Sequence, residues 1–465
     1  MSTEGKLKMT PATQGSDPPG PPQGTGGCGP SGAECCQVGK EKTSRPRRFV
    51  GRKARKAVAV SGEAGKSELA RRARASGQRS RAMMMNQVPD EIANDPELKR
   101  AMEQLPANYN FQVAKTVWRL KKEGAKRVAL QLPEGLLMFA CILSDIFEQC
   151  AGVEEALVMA DVTYGACCID DFSARALGCD FMVHYGHSCL VPIDITSRED
   201  EFGQSLKVMY VFVDIDIDVD HMVESVKLTF PEKDTKLALL CTIQFAAAMH
   251  KAKTMFDSYY EKESHVPQAK PLSKGEVLGC TSPSLEGHDV SALVFVADGR
   301  FHLESAMIAN PGVPAFRYDP YARVLTHEAY DVPLMKSTRY DAIQCAKPGK
   351  QWGIVLGSLG RQGNPKILER VQSLLAKHGR TSFVLLLSEM FPAKLKLFDE
   401  QVDAWVQIAC PRLSIDWGTA FSKPLLTPYE TFVAFGEAEW RQIYPQDFYS
   451  RDSGPWTNFY SNKTE

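Results

Sequence analysis

The stretch WGIVLGSLGRQGNPKILERVQSLLAKHGRTSFVLLL, Trp352 to Leu387, spells out a strand, a turn, a helix and a second strand. The run WGIVLGSLG (Trp352 to Gly360) is an apolar strand that ends in glycines. Asn364 suits a helix N-cap, and Pro365 follows at the first helical position, where a missing N–H costs nothing. Ile367, Leu368, Val371, Leu374 and Leu375 fall on one helical face, and Gly379 supplies the stop. SFVLLL (Ser382 to Leu387) is apolar from Phe383 on, as expected of a strand buried on both faces.

The same alternation extends N-terminally. VALQL (Val128 to Leu132) precedes a helical stretch to Cys150, and ALVMADV (Ala156 to Val162), FMVHYG (Phe181 to Gly186) and VMYVFVD (Val208 to Asp214) follow. A second series opens at LALLCTI (Leu237 to Ile243) and returns at ALVFVAD (Ala292 to Asp298) after a helical stretch. Strands alternating with helices indicate βαβ units and parallel sheets. The chain reads as three α/β domains, 86–235, 236–345 and 346–465, with a cadence that fits degenerate triplication of one unit.

Residues 1–85 have a different texture, with PPGPPQGTGG (Pro18 to Gly27) and the basic run RPRRFVGRKARK (Arg45 to Lys56), and are expected to form a disordered arm. The formal charge of -1 hides a cancellation. Residues 40–81 carry 15 Lys+Arg against 3 Asp+Glu, whereas residues 82–465 carry 38 against 50. Such an arm suits nucleic-acid binding, a nuclear address or a solvated extension, while the acidic body speaks against nucleic acid as a required partner. At 465 residues with 13 cysteines the chain is no small disulfide scaffold. Its clean apolar runs, such as Leu136 to Leu143, are too short to span a bilayer, and the start MSTEGKLKMT has no secretory h-region. A cytoplasmic location with reduced thiols is expected, and the basic arm leaves a nuclear pool open.

Three cysteines occupy turn-rich settings after strand-like runs: Cys167 in DVTYGACCIDDF, Cys280 in VLGCTSP and Cys410 in VQIACPRLSIDWG. Carboxyl ends of strands in open α/β sheets are where ligands are held, so three thiolates from three repeats could converge there. An iron–sulfur cluster so held would keep one iron open. The competing reading is buried structural thiols, since separations of 113 and 130 residues are no metal signature and no CxxC pair occurs. The other cysteines read as background, and Cys168 is expected to point away from Cys167.

Polar residues cluster at other strand ends. DGRFHLES (Asp298 to Ser305) offers Asp298 and Arg300 to grip a zwitterion and His302 to move a proton; a satisfied turn is the alternative. HYGHSC (His184 to Cys189) adds two histidines. GSLGRQGNP, with Gly357, Gly360, Arg361 and Gln362, lies before a helix N-terminus and suits a carboxylate or phosphate, although it matches neither a dinucleotide nor a P-loop fingerprint. Glu134 in LPEG occupies the corresponding place after the first strand, as an ammonium partner or as an early-helix acid.

DVTYGACC, DGRFHLES, GSLGRQG and ACPRLSIDWG, in this order, resemble the eukaryotic diphthamide synthase family, over roughly Asn86 to Trp456. The resemblance implies three related α/β domains with mainly parallel sheets in a pseudo-threefold arrangement, with Cys167, Cys280 and Cys410 each giving a ligand to a central 4Fe-4S cluster. It implies a transferase of the non-classical radical type. S-adenosylmethionine is its co-substrate, and a 3-amino-3-carboxypropyl group is moved to carbon 2 of a histidine imidazole in elongation factor 2. Partners implied are a sister subunit in a heterodimer and a small metal-binding electron donor. Glu134, Asp298, Arg300, His302, Gly357, Gly360, Arg361 and Gln362 are the candidates for holding S-adenosylmethionine, while no catalytic side chain is assigned. The alternative is a non-catalytic scaffold or electron-relay subunit of the same heterodimer.

Overall fold

The computed structural model describes residues 88–460, apart from positions 162, 164, 187–190, 192, 198, 200–202, 204, 451 and 452. The expected arm, 1–85, lies outside the described residues, as do His187 and Cys189. The chain divides into Met1–Arg79 and Ser80–Glu465, and every described element belongs to the second unit.

That unit contains three four-stranded sheets in chain order. The first comprises β1 (Arg127–Gln131), β2 (Glu155–Met159), β3 (Phe181–Tyr185) and β4 (Lys207–Val211), all parallel in the order 2-1-3-4. The second comprises β5 (Leu237–Cys241), β6 (Ala292–Val296), β7 (Ala315–Asp319) and β8 (Val324–Glu328), in sequential order with only β7–β8 antiparallel. The third comprises β9 (Gln351–Gly357), β10 (Thr381–Leu387), β11 (Ala404–Ile408) and β12 (Leu425–Leu426), all parallel in the order 10-9-11-12. The expected α/β class with mainly parallel sheets is therefore what the chain adopts. β3, β5, β6 and β11 are buried along their whole length, which is why they read as unbroken apolar runs.

The second sheet departs from its siblings at one edge. Where β2 and β10 flank the first strand of the other sheets, β5 is met only by two isolated bridges, Ala238 to His265 and Cys241 to Glu276. A common brace survives nonetheless. Lys126, Lys236 and Lys350 each precede the first strand of a sheet. Their N–H groups donate to Asp180, Ser291 and Asp403, the residues preceding β3, β6 and β11. An oxygen-bearing side chain is all the position requires, so the recurrence survives a change of residue type.

The helix Pro365–Lys377 forms as its punctuation predicts: the Asn364 side chain accepts from Lys366 N–H, and Ile367, Val371, Leu374 and Leu375 are buried. The expectation of a buried strand at Ser382–Leu387 fails. β10 is an edge strand, exposed at Thr381 to Val384 and at Leu386. No helix among the described residues is long and apolar enough to cross a membrane.

Candidate metal centre

The three cysteines reach the same place by different routes. Cys167 lies in the short turn Ala166–Cys168 that follows β2. Cys280 lies in the loop before β6, and Cys410 stands two residues beyond β11. All three line one small cavity, together with Gln362, Phe448, Tyr449 and Asn458. Strict repetition would put Cys410 after the second strand of its sheet, as Cys167 is; it follows the third strand instead.

The cavity is dry enough to disfavour thiolates. A hydrogen bond that the Cys167 thiol donates to Cys168, and then burial, push Cys167 well above the ordinary thiol range. Burial, then the nearby Cys410, raises Cys280, and burial pushes Cys410 up to about 11. Such thiols give up their protons when a metal takes their place. Among the described residues, no three His, Cys, Asp or Glu side chains stand close enough to hold a single ion. Three thiols lining one cavity fit a cluster that keeps one iron without a protein ligand.

Each cysteine loop is held by buried polar groups. Gln131, 1% exposed at the end of β1, donates to the Cys168 carbonyl and accepts from Asp170 N–H. Its oxygen also meets His184 Nδ1 at 2.8 Å. Gln407, fully buried on β11, donates to the Cys410 carbonyl and to Ser414. Two arginines then tie the third sheet's loops to the other two cysteines. Arg361 N–H donates to the Cys167 carbonyl, and its guanidinium grips buried Asp171 through two bonds of 2.7 and 2.6 Å while stacking on Phe172. Arg412, 2% exposed, donates to the carbonyls of Gly279 and Phe301 and pairs with Glu304 and Asp416. Gly360 has φ +53°, and a Cβ there would lie 2.5 Å from the Cys168 backbone. Only glycine permits that approach.

The residues expected to hold S-adenosylmethionine are dispersed by comparison. Of them only Gln362 lines the cysteine cavity, and its Nε2 lies 3.2 Å from Cys168 Sγ. Cys168 therefore does not point away from the site as expected. Arg361 is engaged with Asp171, and Arg300 with Glu328 and Glu304. Glu134 is exposed in the first turn of a 3-10 helix. Asp298 is exposed, with partial burial of its carboxyl raising its pKa. His302, partly buried, lies edge-on to Phe301. Gly357 lets β9 approach Ala409, where a Cβ would lie 2.7 Å away. Sequence reasoning missed Gln131, Gln407, Asp171, Arg412 and Tyr449. Arg412 and Asp416, four residues apart inside ACPRLSIDWG, were the available signal.

An α/β chain whose three sheets each send one cysteine to a shared cavity has the makings of a polynuclear-metal protein. The chain belongs to the diphthamide synthesis family: residues 132–445 match the family model described as "Putative diphthamide synthesis protein". It is 56% identical over 382 residues to human 2-(3-amino-3-carboxypropyl)histidine synthase subunit 1, covering 82% of this chain and 84% of the relative. The Schizosaccharomyces pombe protein of the same name is 51% identical over 423 residues, covering 90% and 94%. The crystal structure of Dph2 from Pyrococcus horikoshii with a 4Fe-4S cluster superposes with a TM-score of 0.58 at 25% identity, covering 72% of this chain and 93% of that one.

Proposed function

We propose that this chain works in diphthamide biosynthesis as a transferase and is the catalytic subunit for its first step. In this reading a 3-amino-3-carboxypropyl group passes from S-adenosylmethionine to carbon 2 of a histidine imidazole in elongation factor 2. The name shared by its relatives supports the biosynthetic role, the transferase class and membership of a multi-subunit assembly. The observation that carries the rest is the convergence of Cys167, Cys280 and Cys410 on one cavity, in a fold shared with the Pyrococcus horikoshii Dph2 with its 4Fe-4S cluster.

Cys167, Cys280 and Cys410 would hold the cluster, with the three units in a pseudo-threefold arrangement about it. A 4Fe-4S cluster with three protein thiolates supplies one-electron reduction and an open iron position. The chain's own residues fix where that chemistry occurs. Gln131 and Gln407 hold the backbone beside Cys168 and Cys410, and Arg361 and Arg412 lock the loops of Cys167 and Cys280 to the third sheet. Phe448 and Tyr449 line the cavity beside the cysteines. Gln362 is the polar group best placed to orient the co-substrate, and the backbone of 357–363 before the helix Pro365–Lys377 suits its carboxylate. Glu134, Asp298, Arg300 and His302 are assigned to its outer contacts. A sister subunit, a small metal-binding electron donor and elongation factor 2 are the partners, in the cytoplasm.

The test is anaerobic reconstitution of the full chain. Cys280→Ala should abolish the broad visible absorption and the transfer of label from S-adenosylmethionine to elongation factor 2, measured with the partner subunit present. A variant that keeps a full 4Fe-4S spectrum overturns the ligand assignment. Transfer that survives loss of this chain's cluster, but not of the partner's, would make the chain a scaffold or electron relay.

A further inference from the structure

β10 has the composition of an interior strand in an edge position. Phe383, Leu385 and Leu387 face the side where Trp405 and Phe398 pack, yet Phe383 remains 36% exposed. Val384 and Leu386 face the opposite side, where Pro365–Lys377 covers the neighbouring strands, and are 40% and 63% exposed. Phe391 and Leu397, at 49% and 80%, extend the apolar surface past the end of the strand. Soluble edge strands are usually blunted by charge, proline or a bulge, and between Thr381 and Leu387 there is none of these.

The equivalent edges of the other two sheets are covered by the chain itself, along β5 throughout and on β2 at Ala156, with Val158 left 38% exposed. On β2 the outward N–H of Ala156 donates to Glu148 and its carbonyl accepts from Ser144, both on the helix Ala140–Ala151 that packs against it. On β5 the bridging segment around His265 and Glu276 takes the outward groups of Leu237, Leu239 and Cys241. Among the described residues nothing does the same for the outward groups of positions 382, 384 and 386.

We propose that β10 pairs with an edge strand of the second synthase subunit, so that the third sheet runs on into the partner. This rests on the reading of the chain as one subunit of a diphthamide synthase. The occupant is a strand because only a strand satisfies a row of outward N–H and C=O groups. It is apolar because both faces flanking the edge are apolar. It belongs to a different subunit because the relatives are named as one numbered subunit of their synthase.

The experiment compares the full chain with Val384→Lys/Leu386→Lys in titrations against the purified second subunit, read by light scattering after gel filtration. Affinity should fall at least tenfold while the melting temperature and far-UV spectrum of the isolated chain stay unchanged. Hydrogen exchange of the unaltered chain keeps the test sharp should the double variant misfold: amides of 381–387 should gain protection when the partner is added. Protection that appears elsewhere but not on β10, or a variant that binds as tightly as the original, overturns the proposal. A homodimer of this chain abolished by the same substitutions would make the occupant a second copy and overturn it as well. Failure of the unaltered chain to bind the second subunit at all would also overturn it. The cluster assignment is unaffected by any of these, because it is read from Cys280→Ala alone.

Discussion

Arg412 shows how much of the centre depends on residues that bear no metal ligand. Four of its five N–H groups are engaged, Nη1 with two carbonyls on the Cys280 side, Gly279 and Phe301, Nη2 with the carboxylate of Glu304 and Nε with that of Asp416. Burial raises the Asp416 carboxyl even against the opposing pull of Arg412, so loss of the guanidinium would leave that acid desolvated and unpaired. With Glu304 and Asp416 each 21% exposed, Arg412→Met should cost about 1–3 kcal/mol, read by denaturant unfolding. Arg412→Lys keeps the charge but not the planar fork, and should restore stability only in part. Iron bound per chain after reconstitution should fall in both variants, and stoichiometric iron in the lysine variant would show that Arg412 does not position Cys280. At this scale the residues themselves marked Cys167, Cys280 and Cys410 as thiols in turns after strands, and the family resemblance was what made them a ligand set. Cysteines 113 and 130 residues apart carry no spacing signal, and Gln131 and Gln407 look like ordinary polar residues at strand ends until the fold buries them.

At the scale of elements, apolar periodicity located most of the parallel strands because burial on both faces leaves a continuous record in composition. The same record misled at β10, since composition reports that a strand is apolar and not what covers it. The brace at the sheet starts was hidden for the opposite reason, as any oxygen-bearing side chain fills it. In the third sheet this brace is ionic: the N–H groups of Gln351 and Lys350 hold the Asp403 carboxylate below the usual aspartate range. A group depressed in the folded state stabilises at pH values above its unfolded pKa, and that contribution disappears as pH falls through the folded value. Asp403→Ala should thus lower stability by about 1 kcal/mol at neutral pH. The difference from the unaltered chain should shrink below about pH 4, where the unfolded carboxyl takes up its proton. Parallel thermal melts from neutral to acid pH measure this. A difference independent of pH would assign the effect to packing against Gly349, whose Cβ position lies 2.9 Å from Asp403 Cβ.

Across the whole molecule, the three cysteine loops belong to three separate sheets and are brought together only when Ser80–Glu465 is folded. The unfolded chain, with its candidate ligands 113 and 130 residues apart, has no comparable site. Any group held jointly by Cys167, Cys280 and Cys410 therefore binds the folded state selectively and must stabilise it by mass action. Occupancy at a hundred times the dissociation constant adds about 2.7 kcal/mol. At roughly 2–4 °C per kcal/mol for a domain of 150–250 residues, a shift of several degrees follows, somewhat less for a longer chain. Anaerobically reconstituted protein should accordingly melt higher than the same protein after chelation and oxidation, and re-reconstitution should restore the shift. The same treatment applied to Cys167→Ala, Cys280→Ala or Cys410→Ala should give little or no shift, because two thiols from two sheets no longer link all three. If one variant keeps the full shift, its sheet is not held by the cluster, and the three-cysteine centre reduces to a site within two sheets.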